Sequence, residues 1–310
     1  LGNIRAGGTF GSSSMTIGNV AATDGYSDLL VVNGTVGGGF TLGGGSLTLS
    51  AGTFVNTSVG YAGDVTAAGV KSGTLVFGLT SRGQAGTGLA DVGLAAQSVA
   101  VSATVYRAAT GGLLSGGTLL VNGATLSLGA TRVGVAFGTS VQVDVKNTQV
   151  SGDAFSEKLD AAIAGMNGNA VGGGSVSLLS AGNVAGGTLS LGFGGATFAA
   201  AGKQNGSVLV GFNTNGVGTS GLGIAAAGSQ TLNLSGDVYR LAVGTLGSSA
   251  LTLAAVREGT AFGVANVVVG NAAAADGFSE KLNVMLGGAS GDANVVGGSV
   301  SLLAAGGTSS

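Results

Sequence analysis

Short runs in which apolar and small polar residues alternate recur along the chain. SMTIGNV (14–20), SVQVDVKN (140–147), TLSLGF (188–193), SVLVGF (207–212) and TLNLSGDVYRL (231–241) all have a period of two. That period sends successive side chains to opposite faces, so each run predicts a strand with one buried face. Clusters of Gly, Asn, Asp and Ser separate the runs and supply turn conformations. Across the middle of the chain the pattern predicts seven runs: 124–133, 139–147, 154–164, 174–180, 187–194, 206–213 and 229–241. The third lies in AFSEKLDAAIAGM (154–166), whose Glu, Lys, Leu and Ala would also suit one or two helical turns. Seven short strands at this density predict an Ig-like sandwich.

The pattern repeats. DGYSD (24–28), DAFSE (153–157) and DGFSE (276–280) lie 129 and 123 residues apart. RAGGTFG (5–11), RVGVAFG (132–138) and REGTAFG (257–263) keep step with them, 127 and 125 apart. GGSLTLSAG (44–52), GGSVSLLSAG (173–182) and GGSVSLLAAG (297–306) follow in each copy. KSGTLVFGLTS (71–81) then matches QNGSVLVGFNT (204–214), and VYR closes a copy at 105–107 and again at 238–240. Landmark order is kept while spacing drifts, as in a fold whose loops absorb insertions.

These landmarks divide the chain into an Ig-like module at 1–107, a linker at 108–119, a second module at 120–240, a linker at 241–248 and the first half of a third module at 249–310. Both ends read as cuts inside a longer array, and the opening LGNIRAGGTF lacks the pattern of a signal peptide. The expected class is therefore all-β, tandem Ig-like β-sandwich modules. A right-handed parallel β-helix is the alternative, but its repeat would be one coil of about 20–30 residues, against the 123–129 found here.

The R-x-G-x-x-F-G opening, the Asn that follows it, the D-G-F-S-E-K-L segment and the closing V-Y-R resemble Ig-like modules of the choice-of-anchor D type. Such modules occur in long β-strand-repeat proteins that bacteria export to the cell surface. The resemblance spans nearly the whole chain and implies architecture rather than activity. The chain departs from what sandwich turns often use in having no Pro.

Composition narrows the chemistry. The 310 residues include 65 Gly and no His, Cys, Pro or Trp, and 45% are apolar. No Ser-His-Asp triad, Cys-His pair, disulfide or common zinc site can be built without His and Cys. A net charge of −2 and scattered Lys and Arg give no electrostatic footprint for nucleic acid. Residues 167–202 carry no charge, but polar residues and glycines interrupt the stretch before any run of membrane-spanning length.

Three features invite a functional reading. The acidic pairs Asp24 with Asp28, Asp153 with Glu157, and Asp276 with Glu280 could each offer oxygens to Ca²⁺. Two carboxylates are few for an ion that takes six to eight oxygens, and a catalytic pair needs one cleft rather than one copy per module. The plain expectation is a turn entering a strand, with Tyr26, Phe155 or Phe278 entering the core and the charges facing water. A salt bridge to the module's recurring arginine (Arg5, Arg132, Arg257) fits as well. Five of the six arginines sit at repeat landmarks, which suits a structural role or a role at module junctions. GVGTSG (216–221), with Asp237 further on, imitates a dinucleotide fingerprint but lacks the helix that motif needs. It reads instead as part of a long loop, 214–228, matched by 81–96 in the first copy. Such loops are either interaction sites or flexible connections.

The expectation is a non-enzymatic structural protein: an extracellular or cell-surface fibre, stalk or matrix component with no metal or cofactor site. Few charges and no Pro guard its strand edges, so its expected partners are copies of itself through edges and Gly-rich faces. The incomplete third module would need missing residues or another chain to complete it. The alternative is an adhesin whose modules are spacers, with glycan or a surface protein bound by end loops or by a tip outside this chain. A third reading makes the modules accessory domains of an enzyme.

Overall fold

The computed structural model describes residues 1–138, 140–195 and 197–310. All regular structure among them is β. Strands β1 (Asn3–Arg5), β2 (Ser13–Gly18), β3 (Leu29–Val36), β4 (Phe40–Leu42), β5 (Ser46–Leu49), β6 (Phe54–Tyr61), β7 (Gly69–Arg82) and β8 (Val92–Tyr106) build the first unit. Strands β9 (Gly111–Ser115), β10 (Thr118–Leu119), β11 (Thr125–Arg132), β12 (Val141–Asn147), β13 (Lys158–Gly168), β14 (Ala170–Gly173), β15 (Ser175–Leu179), β16 (Val184–Phe193), β17 (Gly202–Asn215) and β18 (Ala225–Tyr239) build the second. The third has β19 (Gly244–Leu246), β20 (Val269–Asn271), β21 (Leu282–Met285), β22 (Ser299–Leu303) and β23 (Thr308–Ser309).

The second unit has two five-stranded sheets, ordered β11-β18-β17-β13-β15 and β10-β9-β12-β16-β14. This is the Ig-like arrangement: the first strand is split between the sheets, and its second part, β11, runs parallel to the last strand, β18. The first unit repeats the plan as β1-β8-β7-β3-β5 facing β2-β6-β4, with β1 parallel to β8. Among the described residues nothing in it corresponds to β9 and β10. The third unit has only β19-β20-β23 and β21-β22. The only parallel strand pairs among the described residues are β1–β8 and β11–β18, so the coils of a β-helix are not there.

Alternation explains the cores. Val143, Val145, Leu189, Leu191, Val208, Val210, Leu232 and Leu234 point inward from facing sheets and are buried. Val32, Phe40, Leu75 and Phe77 do the same in the first unit. Each such side chain contributes about 1.5–3 kcal/mol relative to exposure. The third unit has no comparable cluster; Phe262, Val264, Met285 and Val296 are exposed.

Several expectations are corrected. Residues 108–119 and 241–248, read as linkers, carry β9 with β10 and β19, which are first strands of the units that follow. The Gly-Gly and Leu-Leu pairs of 108–119 do not alternate, and β19 is only three residues long, so the period-two pattern passed over both. The stretch 154–166 forms a turn and then strand β13, not helical turns. The start of the second predicted run, at Thr139, lies outside the described residues. Short strand β14 had no prediction.

One extra residue in SVSLLSAG relative to SLTLSAG has a visible cost. It creates a bulge opposite β13 and again opposite β21, absent from the β3–β5 pair. Leu178 (φ 54°) and Leu302 (φ 55°) are the only non-glycine residues with positive φ among the described residues. Asp160 and Asn283 each accept the N–H of the strained leucine at 2.7 Å, holding it in place.

Candidate functional site: the repeated junction

The acidic motif occupies the turn between β12 and β13. Asp153 Oδ1 accepts the Phe155 N–H at 3.1 Å and the Ser156 hydroxyl at 3.0 Å. Asp276 Oδ1 takes the Phe278 N–H at 3.0 Å, and Asp24 Oδ1 takes the Tyr26 N–H at 2.9 Å. One carboxylate oxygen is thus spent on shaping the turn. An asparagine fixes the other side: Asn147 Nδ2 donates to the carbonyls of Glu157 (3.1 Å) and Leu179 (3.0 Å). Asn19 and Asn271 make the matching pairs, to Asp28 with Leu49 and to Glu280 with Leu303.

The second oxygen of the first acid faces the preceding unit. Arg107, the last residue of VYR, bonds Asp153 Oδ2, and Arg240 bonds Asp276 Oδ2 at 2.6 Å. The backbones lock at the same place. Arg107 N–H donates to Phe155 O (2.7 Å) and Glu157 N–H to Arg107 O (2.9 Å). Arg240, Phe278 and Glu280 repeat this at 2.9 and 3.0 Å. The aromatic rings meet across the same boundary, Tyr106 with Phe155 at 6.0 Å and Tyr239 with Phe278 at 5.9 Å. Both aspartates are held below the usual carboxylate range. For Asp153, burial pushes upward, but the Phe155 N–H, the Ser156 hydroxyl and Arg107 together outweigh it. For Asp276 the Arg240 bond acts first, then the Phe278 N–H.

The second acid meets the other recurring arginine, again from the preceding unit. Arg5 Nε lies 2.7 Å from Glu157 Oε2, and Arg132 Nε lies 2.7 Å from Glu280 Oε1. The two pairs differ in burial: the Glu157 side chain is 0% exposed and Glu280 is 31% exposed. The cause is the loop between β17 and β18. Thr214 Oγ1 donates to Glu157 Oε2 at 2.5 Å, and the Ser220 hydroxyl bonds Glu157 Oε1. Asn3 Nδ2 donates to Ser220 O at 2.7 Å, and Arg5 bonds Gly223 O. The loop therefore clasps the end of the first unit over the carboxylate. Among the described residues no such loop reaches the Arg132–Glu280 pair, which borders an open cleft with Thr131, Val135 and Tyr239.

Sequence reasoning brought the right residues forward and placed them differently. The aromatic residues do not enter their own cores: Phe155 and Phe278 sit on a neighbour's tyrosine, and Tyr26 is 94% exposed. Glu157 does not face water. The arginines pair with the following unit rather than their own, and Arg257 makes no ion pair among the described residues. GVGTSG is a loop turn closed by Thr219 and Gly221 N–H groups on Gly216 O, and strand β18 follows it, not a helix. Asp237 lies in β18 opposite Lys203. The roles of Ser220 and Thr214 were missed, because a lone hydroxyl in a Gly-rich loop gives no signal of its own.

Among the described residues no group of three or more His, Cys, Asp or Glu could hold a metal ion. No helix there is long and apolar enough to cross a membrane. No protein-family model matches the chain, and no curated protein matches it. Solved structures similar to it include the D00-D0 domain of intimin, at 14% identity over 75% of this chain and 95% of that one, with a TM-score of 0.27. CfaE, the adhesive subunit of the CFA/I fimbria of enterotoxigenic Escherichia coli, overlaps 76% of this chain and 85% of its own, at 10% identity and a TM-score of 0.27. The YadV chaperone overlaps 73% and 95%, at 10% identity and a TM-score of 0.24. Superpositions this loose carry no argument about activity, and the Ig-like assignment rests on strand order.

Proposed function

We propose that this chain is a non-enzymatic structural protein of the cell exterior, in which tandem Ig-like modules act as a stiffened spacer in a stalk, fibre or matrix. The observation that carries the reading is the junction itself. Two arginines, a tyrosine and a strand end of one module meet two acids and an aromatic of the next, and the set is built twice. A flexible string of beads would have no use for it. The resemblance to choice-of-anchor D modules fits this role, as does the absence of His and Cys. Association with further copies would use the unguarded outer surface of the β7–β8 ribbon, where Val76, Val92, Leu94 and Val99 are exposed. Electron microscopy of purified protein over a concentration series tests the proposal. Filaments or rods of constant calibre are expected, and dispersed particles with freely bending modules would contradict it.

The adhesin reading draws on one feature. The β7–β8 loop of the first module is long, Gly-rich and leaves Leu89 exposed. Glycan-array or surface-protein binding that is lost on shortening this loop would favour that reading.

A further inference from the structure

In the second module one continuous segment, VYRAATGGLLS (105–115), makes two kinds of contact. Its Tyr-Arg end docks on Phe155 and Asp153, and its Gly-Gly-Leu-Leu end pairs with β12 as strand β9. Between them, Ala109 N–H donates to Thr214 Oγ1 at 2.8 Å. Gln230 of β18 grips the far end, accepting from Leu113 N–H at 3.2 Å and donating to Leu120 O at 2.7 Å. The glycines are needed, since a Cβ on Gly111 would lie 2.3 Å from the Phe212 ring.

The first module has the receptors for such a segment, and among the described residues none lies in them. Asp24 shapes its turn through Oδ1 as its counterparts do, yet makes no ion pair among the described residues. Tyr26 stands in the place of Phe155, 94% exposed. Ser81, the counterpart of Thr214, donates to Asp28 Oδ2 at 2.7 Å, as Thr214 does to Glu157. Strand β2 is the outer strand of its sheet, where β12 has β9 beside it. Gln97 matches Gln230 in Q-x₇-V-Y-R and is exposed on β8. Two unrelated observations, an unpaired acid with a bare aromatic and an uncovered strand edge, therefore specify one ligand.

We propose that the first module binds an extended segment of the type Tyr-Arg-x₅-Leu-Leu with small residues between, supplied by another module of this kind. Its arginine pairs with Asp24, its tyrosine packs on Tyr26, and its leucines add a strand to β2. The proposal rests on the modular reading above but is tested without it, because peptide capture and rod stiffness are separate readouts.

The probe is the synthetic peptide VYRAATGGLLS added to the full chain, followed by calorimetry and hydrogen exchange. Saturable binding with slowed exchange at residues 14–20 and 24–28 is expected. Asp24→Lys should weaken it about tenfold, and a peptide with Arg→Glu should recover most of that loss on the Asp24→Lys chain. Asp24→Asn keeps the turn-forming oxygen while removing the charge, and should weaken binding about threefold. No binding at millimolar peptide, equal binding of a scrambled peptide, or protection confined to other residues would overturn the proposal.

Discussion

Replacing Arg5 with methionine should loosen the first junction without unfolding either complete module. Glu157 has a side chain that is 0% exposed, with Arg5 as its only ion-pair partner among the described residues. Removing one partner of a buried pair costs about 3–5 kcal/mol, whereas an exposed pair contributes about 0–1 kcal/mol. The Arg5 side chain is 24% exposed, and Thr214 and Ser220 still donate to the carboxylate. An intermediate cost of about 2 kcal/mol follows, or about thirtyfold in the ratio of docked to undocked junctions. The loss should emerge as undocking, because separation of the modules lets water reach Glu157 while β12 to β18 remain packed.

The chain has no cysteine, so cysteines introduced at exposed Ser46 and Ser229 can carry a dye pair for single-molecule energy transfer. Arg5→Met should broaden the transfer distribution, while the denaturation midpoint of the second module stays within error. Arg82→Met is the control, since Arg82 and Asp91 are both about half exposed and lie within one module. If Arg5→Met matched Arg82→Met, or if it unfolded the second module with the junction intact, the reasoning would fail.

Acid should release the junctions before it unfolds the cores. Asp153 and Asp276 have lowered folded-state pKa values, so their contribution is present above the ordinary value near about 4 and disappears as pH falls through the lowered ones; an energy-transfer titration in which docking tightened on acidification would have the wrong sign. Asn147→Ala leaves the buried carbonyls of Glu157 and Leu179 without their donor and should cost about 2–5 kcal/mol by urea denaturation. Leu189→Ala, at a fully buried site, should cost about 3 kcal/mol, while Met285→Ala, at a residue 83% exposed, should stay within about 0.5 kcal/mol. Equal effects at the two sites would mean that the third unit has a core the structure does not show.

The sandwich was readable because alternation reports which face of a strand is buried. Val143, Val145, Leu189 and Leu191 announce themselves this way. Strands without alternation did not: β9 needs glycine against Phe212 and so reads as a linker. The junction was half readable. Repetition marked Arg5, Arg107, Asp153 and Glu157 as special, but a repeat cannot tell contact within a copy from contact with the next one. Arg5 could as well have met Asp28 as Glu157. Only the parallel pairing of β1 with β8, which carries Arg5 and Tyr106 to the same end of the module, decides between them. The β17–β18 loop was legible as long and Gly-rich, but not as the clasp that makes the first junction drier than the second.

The claim at the centre of this account is that the junction residues hold the first two modules in one fixed relation. Residual dipolar couplings from the full chain in a dilute aligning medium measure this directly. Residues of β1–β8 and β9–β18 should fit a single alignment tensor at neutral pH, and separate into two on Arg5→Met. Two unrelated tensors in the unaltered chain would contradict it.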